Sequence, residues 1–89
     1  MTYGQVMPRT KRNPELARQI GKRIQSLRLT AGLTQEALAW DCDLDKGYLS
    51  NVESGRRLPS LVVVFALAKR IGCEPGALLE IVEIARESN

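Results

Sequence analysis

An ammonium, a hydroxyl and a carboxamide are brought together by helical spacing at Lys46, Ser50 and Asn51, with Gly47 between them. On a helix these four fall within an arc of about 140°, while Leu49 and Val52 fall on the opposite side. Such groups can make hydrogen bonds to the edges of bases. An ammonium donates to guanine O6 and N7 or to a phosphate. A carboxamide donates and accepts at once, which matches adenine, and a hydroxyl serves either kind of base. Gly47 lowers helix stability by about 1 kcal/mol relative to Ala, and in return lets backbone approach a base edge closely. On an isolated helix the same arc would be a solvated face, so a supporting fold must aim it.

Catalytic and metal chemistry find little here. The 89 residues contain no histidine, which removes histidine-based triads, proton shuttles and metal ligation. Cys42 and Cys73 are too few and too far apart for a zinc site, and both sit among apolar positions. They are read as reduced structural thiols. No carboxylate pair or phosphate-cradling loop is present. The expectation is therefore no enzyme, no metal and no cofactor.

Charge is placed unevenly. Residues 1–28 carry Arg9, Lys11, Arg12, Arg18, Lys22, Arg23 and Arg28 against Glu15 alone, a net of +6, although the whole chain carries only +3. Residues 74–89 carry Glu74, Glu80, Glu83 and Glu87 against Arg86, a net of −3. A basic end and an acidic end suit a protein that turns one face to phosphates. No apolar run approaches the ~20 residues of a membrane helix. The start MTYGQVMPRTKR lacks the apolar core of a signal peptide. A cytoplasmic protein without a membrane partner is expected.

The length allows one small domain. Residues 1–13 are read as a flexible basic arm and 14–89 as the domain. Asn13 and Pro14 can open a first helix carrying Leu16, Ile20, Ile24, Leu27 and Ala31, which Gly32 ends. Thr34 caps a second helix with Leu38, Ala39 and Cys42 inward. The turn is Asp41 to Leu44, and Asp45 caps a third helix with Leu49 and Val52 inward. Ser60 caps a fourth, whose expected core stripe is Leu61, Val64, Phe65, Ala68 and Ile71. Glu74 and Pro75 open a fifth, expected to run to about Arg86. No strand pattern competes. Helices two and three, joined by a tight turn, have the form of a helix-turn-helix.

TQEALA, LDKGYLSNVESGRRLPSL and FALAKRIG together resemble the Cro/C1-type (XRE) helix-turn-helix domains of phage repressors and bacterial regulators. The resemblance spans about Ile20 to Leu79, and its elements fall in register without gaps. It implies an all-α, five-helix lambda-repressor-like bundle whose third helix enters a DNA major groove. Lys46, Gly47, Ser50 and Asn51 would then face bases. Thr34, Gln35, Ser54, Arg56 and Arg57 would face phosphates, Gln35 being a DNA-contacting position in similar domains. Arg28 and Glu53 would form a structural ion pair fastening the third helix. Asp43 departs from the family, which usually has Gly in the turn; Asp tolerates the left-handed conformation better than most residues. Trp40 takes a site that is usually polar.

Leu78, Ile81, Val82, Ile84 and Ala85 nearly encircle the fifth helix, and Val62, Val63 and Ala66 widen the apolar face of the fourth. A homodimer through these surfaces would cover them, on a twofold-symmetric double-stranded DNA operator. The expected function is a sequence-specific transcriptional regulator, a repressor or autoregulator, with RNA polymerase as a further candidate partner. The alternative is a protein-interaction module, antitoxin-like or polymerase-docking, that binds DNA weakly and without specificity.

Overall fold

The computed structural model describes residues 14–80. The arm at residues 1–13, and Ile81, Val82, Ile84 and Ala85 of the expected dimer face, lie outside the described residues. Five helices follow one another: α1 (Pro14–Thr30), α2 (Gln35–Asp41), α3 (Lys46–Glu53), α4 (Leu61–Ile71) and α5 (Pro75–Leu78). The architecture is all-helical, as the sequence implies.

Local chemistry fixes the boundaries. Thr34 Oγ1 accepts from the Ala37 amide at 3.0 Å and Ser60 Oγ from the Val63 amide at 3.2 Å, so both cap their helices as their positions predict. Asp45 occupies the cap position of α3 but its side chain makes no capping hydrogen bond. α1 closes with the Leu33 amide on the Arg28 carbonyl and the Gly32 amide on Leu29, the paired pattern of a left-handed C-terminal cap. α2 closes the same way on Ala39 and Trp40, with Asp43 at φ 59° as the left-handed residue. Asp43 is the one non-glycine at positive φ among the described residues, and a side chain there costs energy. Asp43→Gly should raise stability by about 0.5–1 kcal/mol. A higher thermal midpoint is the expected readout; an unchanged or lower one would show that Asp43 makes a compensating contact.

α1 packs on α3 and α5, α2 on α3 and α4, and α4 on α5. Ile24, Leu38, Leu49, Val52, Leu67 and Leu78 are fully buried where these helices meet. α1 approaches α3 so closely that a Cβ at Gly21 would run into the Val52 and Glu53 carbonyl oxygens. Gly55, at φ 84°, is crowded too: a Cβ there would sit 2.7 Å from Arg18 Cγ.

Three expectations about packing are corrected. The core stripe of α4 is Val64, Leu67 and Ala68, whereas Leu61 and Phe65 are 65% and 54% exposed. Residues 61–68 are apolar without a break, so periodicity alone could not fix the rotation of the helix. Ala31 is exposed beyond the end of α1 rather than inward. The fifth helix ends at Leu78, and Leu79 leaves helical geometry at φ −108°, ψ 15°. At that end Arg23 Nε donates to the Ala77 carbonyl at 2.7 Å. That is the carbonyl a continuing helix would offer to the amide four residues on. Arg23 also pairs with Glu80 at 2.9 Å.

Candidate nucleic-acid interface

α3 presents the polar arc outward. Lys46 and Gly47 are exposed, Ser50 and Asn51 half-buried, and Leu49, Val52 and Glu53 on the far side are buried. A Cβ at Gly47 would meet nothing nearer than Asp45 Oδ2 at 3.8 Å. The glycine is thus not required by packing within the chain. Ser54 is exposed, and its hydroxyl donates to the Asn51 carbonyl at 3.1 Å, closing the last turn.

Beneath the arc lies a buried polar cluster. Arg28 donates from Nε to Glu53 Oε2 at 2.7 Å and from Nη2 to Oε1 at 3.0 Å, in bidentate geometry. Its Nη1 donates to the Leu33 carbonyl at 2.7 Å, which ties the α1–α2 connection to the same guanidinium. Gln35 Nε2 donates to Glu53 Oε1 at 2.8 Å. The expected ion pair is therefore present, with Gln35 as a third member that the sequence did not reveal. Both charged side chains are buried, Arg28 at 7% and Glu53 at 5% exposure, and no buried polar side-chain atom of the described residues lacks a partner.

Arg56 and Arg57 leave α3 in an exposed loop. The Arg57 guanidinium carbon sits 5.3 Å from the centroid of the Tyr48 ring, within cation–π range. Tyr48 is half-buried against the core, in keeping with a packing role. Thr34 is exposed at the start of α2 with its hydroxyl engaged in capping. Leu78, assigned to a dimer face, is instead fully buried. α5 docks that side chain into the core, which removes it from any intersubunit surface.

The remaining polar groups are structural. Asp41 accepts from Arg70, linking α2 to α4, and Glu15 pairs with Arg18 along α1. Burial pushes the Cys42 thiol up, the Asp41 charge adds to the rise, and Arg70 opposes it. The thiol donates to the Ala66 carbonyl at 3.5 Å, so it behaves as a packed, protonated group rather than a nucleophile. No group of metal-ligating side chains occurs among the described residues, and no described helix is long and apolar enough to cross a membrane.

Known proteins are similar to this chain in sequence and fold. A family model described as a helix-turn-helix domain matches residues 19–81. The control protein C.BamHI of Bacillus amyloliquefaciens is 35% identical over 65 residues, covering 72% of this chain and 80% of that one. The crystal structure of the restriction-modification controller protein C.AhdI from Aeromonas hydrophila superposes with a TM-score of 0.67 at 41% identity, over 72% of this chain and 96% of that one. The immunity repressor protein of Bacillus phage phi105 is 35% identical over 60 residues, covering 67% of this chain and 42% of the repressor. The fold, the outward polar face of α3 and these similarities converge: the chain belongs to the helix-turn-helix domain family of Cro/C1 (XRE) type, whose members are DNA-binding transcription regulators and not enzymes.

Proposed function

We propose that the chain acts as a dimeric repressor or autoregulator that reads the major groove of a twofold operator with α3. The observation carrying this is the division of α3. Its buried side is locked into the core, while on the other side Lys46 and Gly47 are exposed and Ser50 and Asn51 half-buried. Lys46 donates to guanine or phosphate, Asn51 pairs with adenine, and Ser50 bonds either. Thr34, Gln35 and Ser54 flank the groove-facing surface. Arg56 and Arg57 neutralise phosphates, with Arg57 held by Tyr48. The basic residues Arg9, Lys11 and Arg12 add to the attraction for flanking phosphates.

The apolar side chains Leu61, Val62 and Phe65 on α4, together with Leu79, form an exposed surface that a second copy would cover. Ile81, Val82, Ile84 and Ala85 would extend it. Bound across a promoter in the cytoplasm, the dimer excludes RNA polymerase; bound beside one, it recruits it. The restriction-modification controller C.AhdI is matched over 96% of its length and the control protein C.BamHI over 80%, which favours that setting over a phage or antitoxin one.

Selection of bound sites from a random duplex library, followed by titration of variants, tests this reading. Asn51→Ala and Lys46→Ala should each weaken binding to the selected site by about 1–3 kcal/mol and affect random duplex less. Arg56→Ala combined with Arg57→Ala should weaken both. It should also flatten the slope of log affinity against log salt by about 0.9 per lost phosphate contact. No preference for selected over random duplex in the wild type would return the chain to the interaction-module reading.

A further inference from the structure

α1, α4 and the loop from Arg57 to Ser60 enclose a groove of about 570 Å³. Of its apolar lining, Ile20 and Val64 are buried and Leu58 is half-buried, while Leu61 and Leu79 remain exposed. Tyr48 and Arg57, the cation–π pair, also line it, and Arg57 is the one charged residue of that lining. Apolar surface left in water forgoes about 25 cal/mol for each Å² that a partner could cover. The chain itself leads to this groove. Leu79 is part of the wall, and Glu80 beside it is held by Arg23 at 2.9 Å. The same guanidinium holds the Ala77 carbonyl. The next residues therefore start at the edge of the groove. Their composition fits it: Ile81, Val82, Ile84 and Ala85 are apolar, and Glu83 and Glu87, against Arg86, bring negative charge toward Arg57. A separate partner would lose translational and rotational freedom on binding that a tethered segment has already given up.

We propose that residues 81–87 of the same chain cover this groove, with apolar side chains against its wall and carboxylates toward Arg57, so that the segment competes with DNA phosphates for that guanidinium. The competition rests on the proposed DNA reading; the docking does not. Val62 and Phe65 of α4 lie outside the groove lining and stay available to a second copy. The segment thus acts as a built-in brake on phosphate binding, and it weakens non-specific attachment most, because that attachment is carried by charge.

Nuclear Overhauser contacts in the full-length wild type test the docking. Methyl groups of Ile81 or Ile84 should show contacts to Leu58 or Leu61 in a uniformly labelled sample. The same contacts should be absent from a mixture of labelled and unlabelled chains filtered for contacts between copies. Contacts seen between copies would give the groove to a second copy, and no contacts at all would leave it uncovered; either result overturns the proposal. Random duplex then probes the competition. Glu83→Gln combined with Glu87→Gln should raise affinity about two- to fivefold at low salt, the range of an exposed ion pair. In an Arg57→Ala background the same pair of substitutions should raise it far less. An equal gain in both backgrounds, or no gain in either, overturns the carboxylate contact with Arg57. If the wild type binds no duplex at all, the DNA reading has failed, and the wild-type contacts still decide the docking.

Discussion

Glu53→Ala is expected to destabilise the domain by about 3–5 kcal/mol, the range for removing one partner of a buried ion pair. Arg28 would be left 7% exposed with its charge uncompensated and two of its three donors without acceptors. Gln35 would lose its partner in the same step. Against a total stability of about 5–15 kcal/mol for a small domain, that loss leaves a large unfolded fraction on warming. Chemical denaturation with matched slopes is the direct measurement. The comparison that isolates the cause is the paired replacement Arg28→Met with Glu53→Leu. It removes both charges at similar volume and should recover most of the loss. A loss below about 1 kcal/mol for Glu53→Ala would mean that water reaches Arg28 and that the pair is a surface interaction in effect.

Phe65→Glu should separate the proposed dimer while leaving each protomer folded. The ring is 54% exposed, so the monomer core loses little. It lies one helical turn from Leu61, which is 65% exposed and lines the same groove as Leu79. A carboxylate carried into an apolar contact is costly to bury and opposes association. Two linked reading heads gain about 10²–10⁴ in affinity over one through effective concentration. Full-site affinity should therefore fall by about that factor, with half-site affinity and helical circular dichroism retained. Sedimentation at tens of micromolar gives the assembly state of both forms. A wild-type monomer, or a variant that still dimerises, would move the interface off α4.

Much of this was legible from residue types alone. The caps at Thr34 and Ser60 and the glycine-terminated helices follow from local chemistry at single positions, while the left-handed Asp43 and the Arg28–Glu53 pair follow from the family resemblance. The rotation of α4 was not legible. An unbroken apolar run from Leu61 to Ala68 contains every periodicity at once, and only the shape of the neighbouring helices selects Leu67 over Phe65 for the core. The end of α5 at Leu78 was equally hidden. It coincides with a hydrogen bond from Arg23, more than fifty positions earlier, to a carbonyl of the helix. At the interface, the arc of α3 was plain from spacing, but the Gln35–Glu53 contact joins two helices at an angle that no one-dimensional pattern encodes.

The close approach at Gly21 bears on how such a domain can change its target. α3 is seated by main chain against main chain, with Val52 and Glu53 carbonyls abutting the α1 backbone where no side chain intervenes. Its outward positions contribute almost nothing to that seating, and the open space around Gly47 illustrates it. Gly47 has room for a side chain and Lys46 is exposed, so these positions are less constrained by the scaffold than the buried side of the helix. If α3 reads DNA as proposed, substitutions on this face would alter which operator is preferred with less effect on folding than substitutions on its buried side. The same separation makes these four positions the natural place to randomise in a library built for altered specificity.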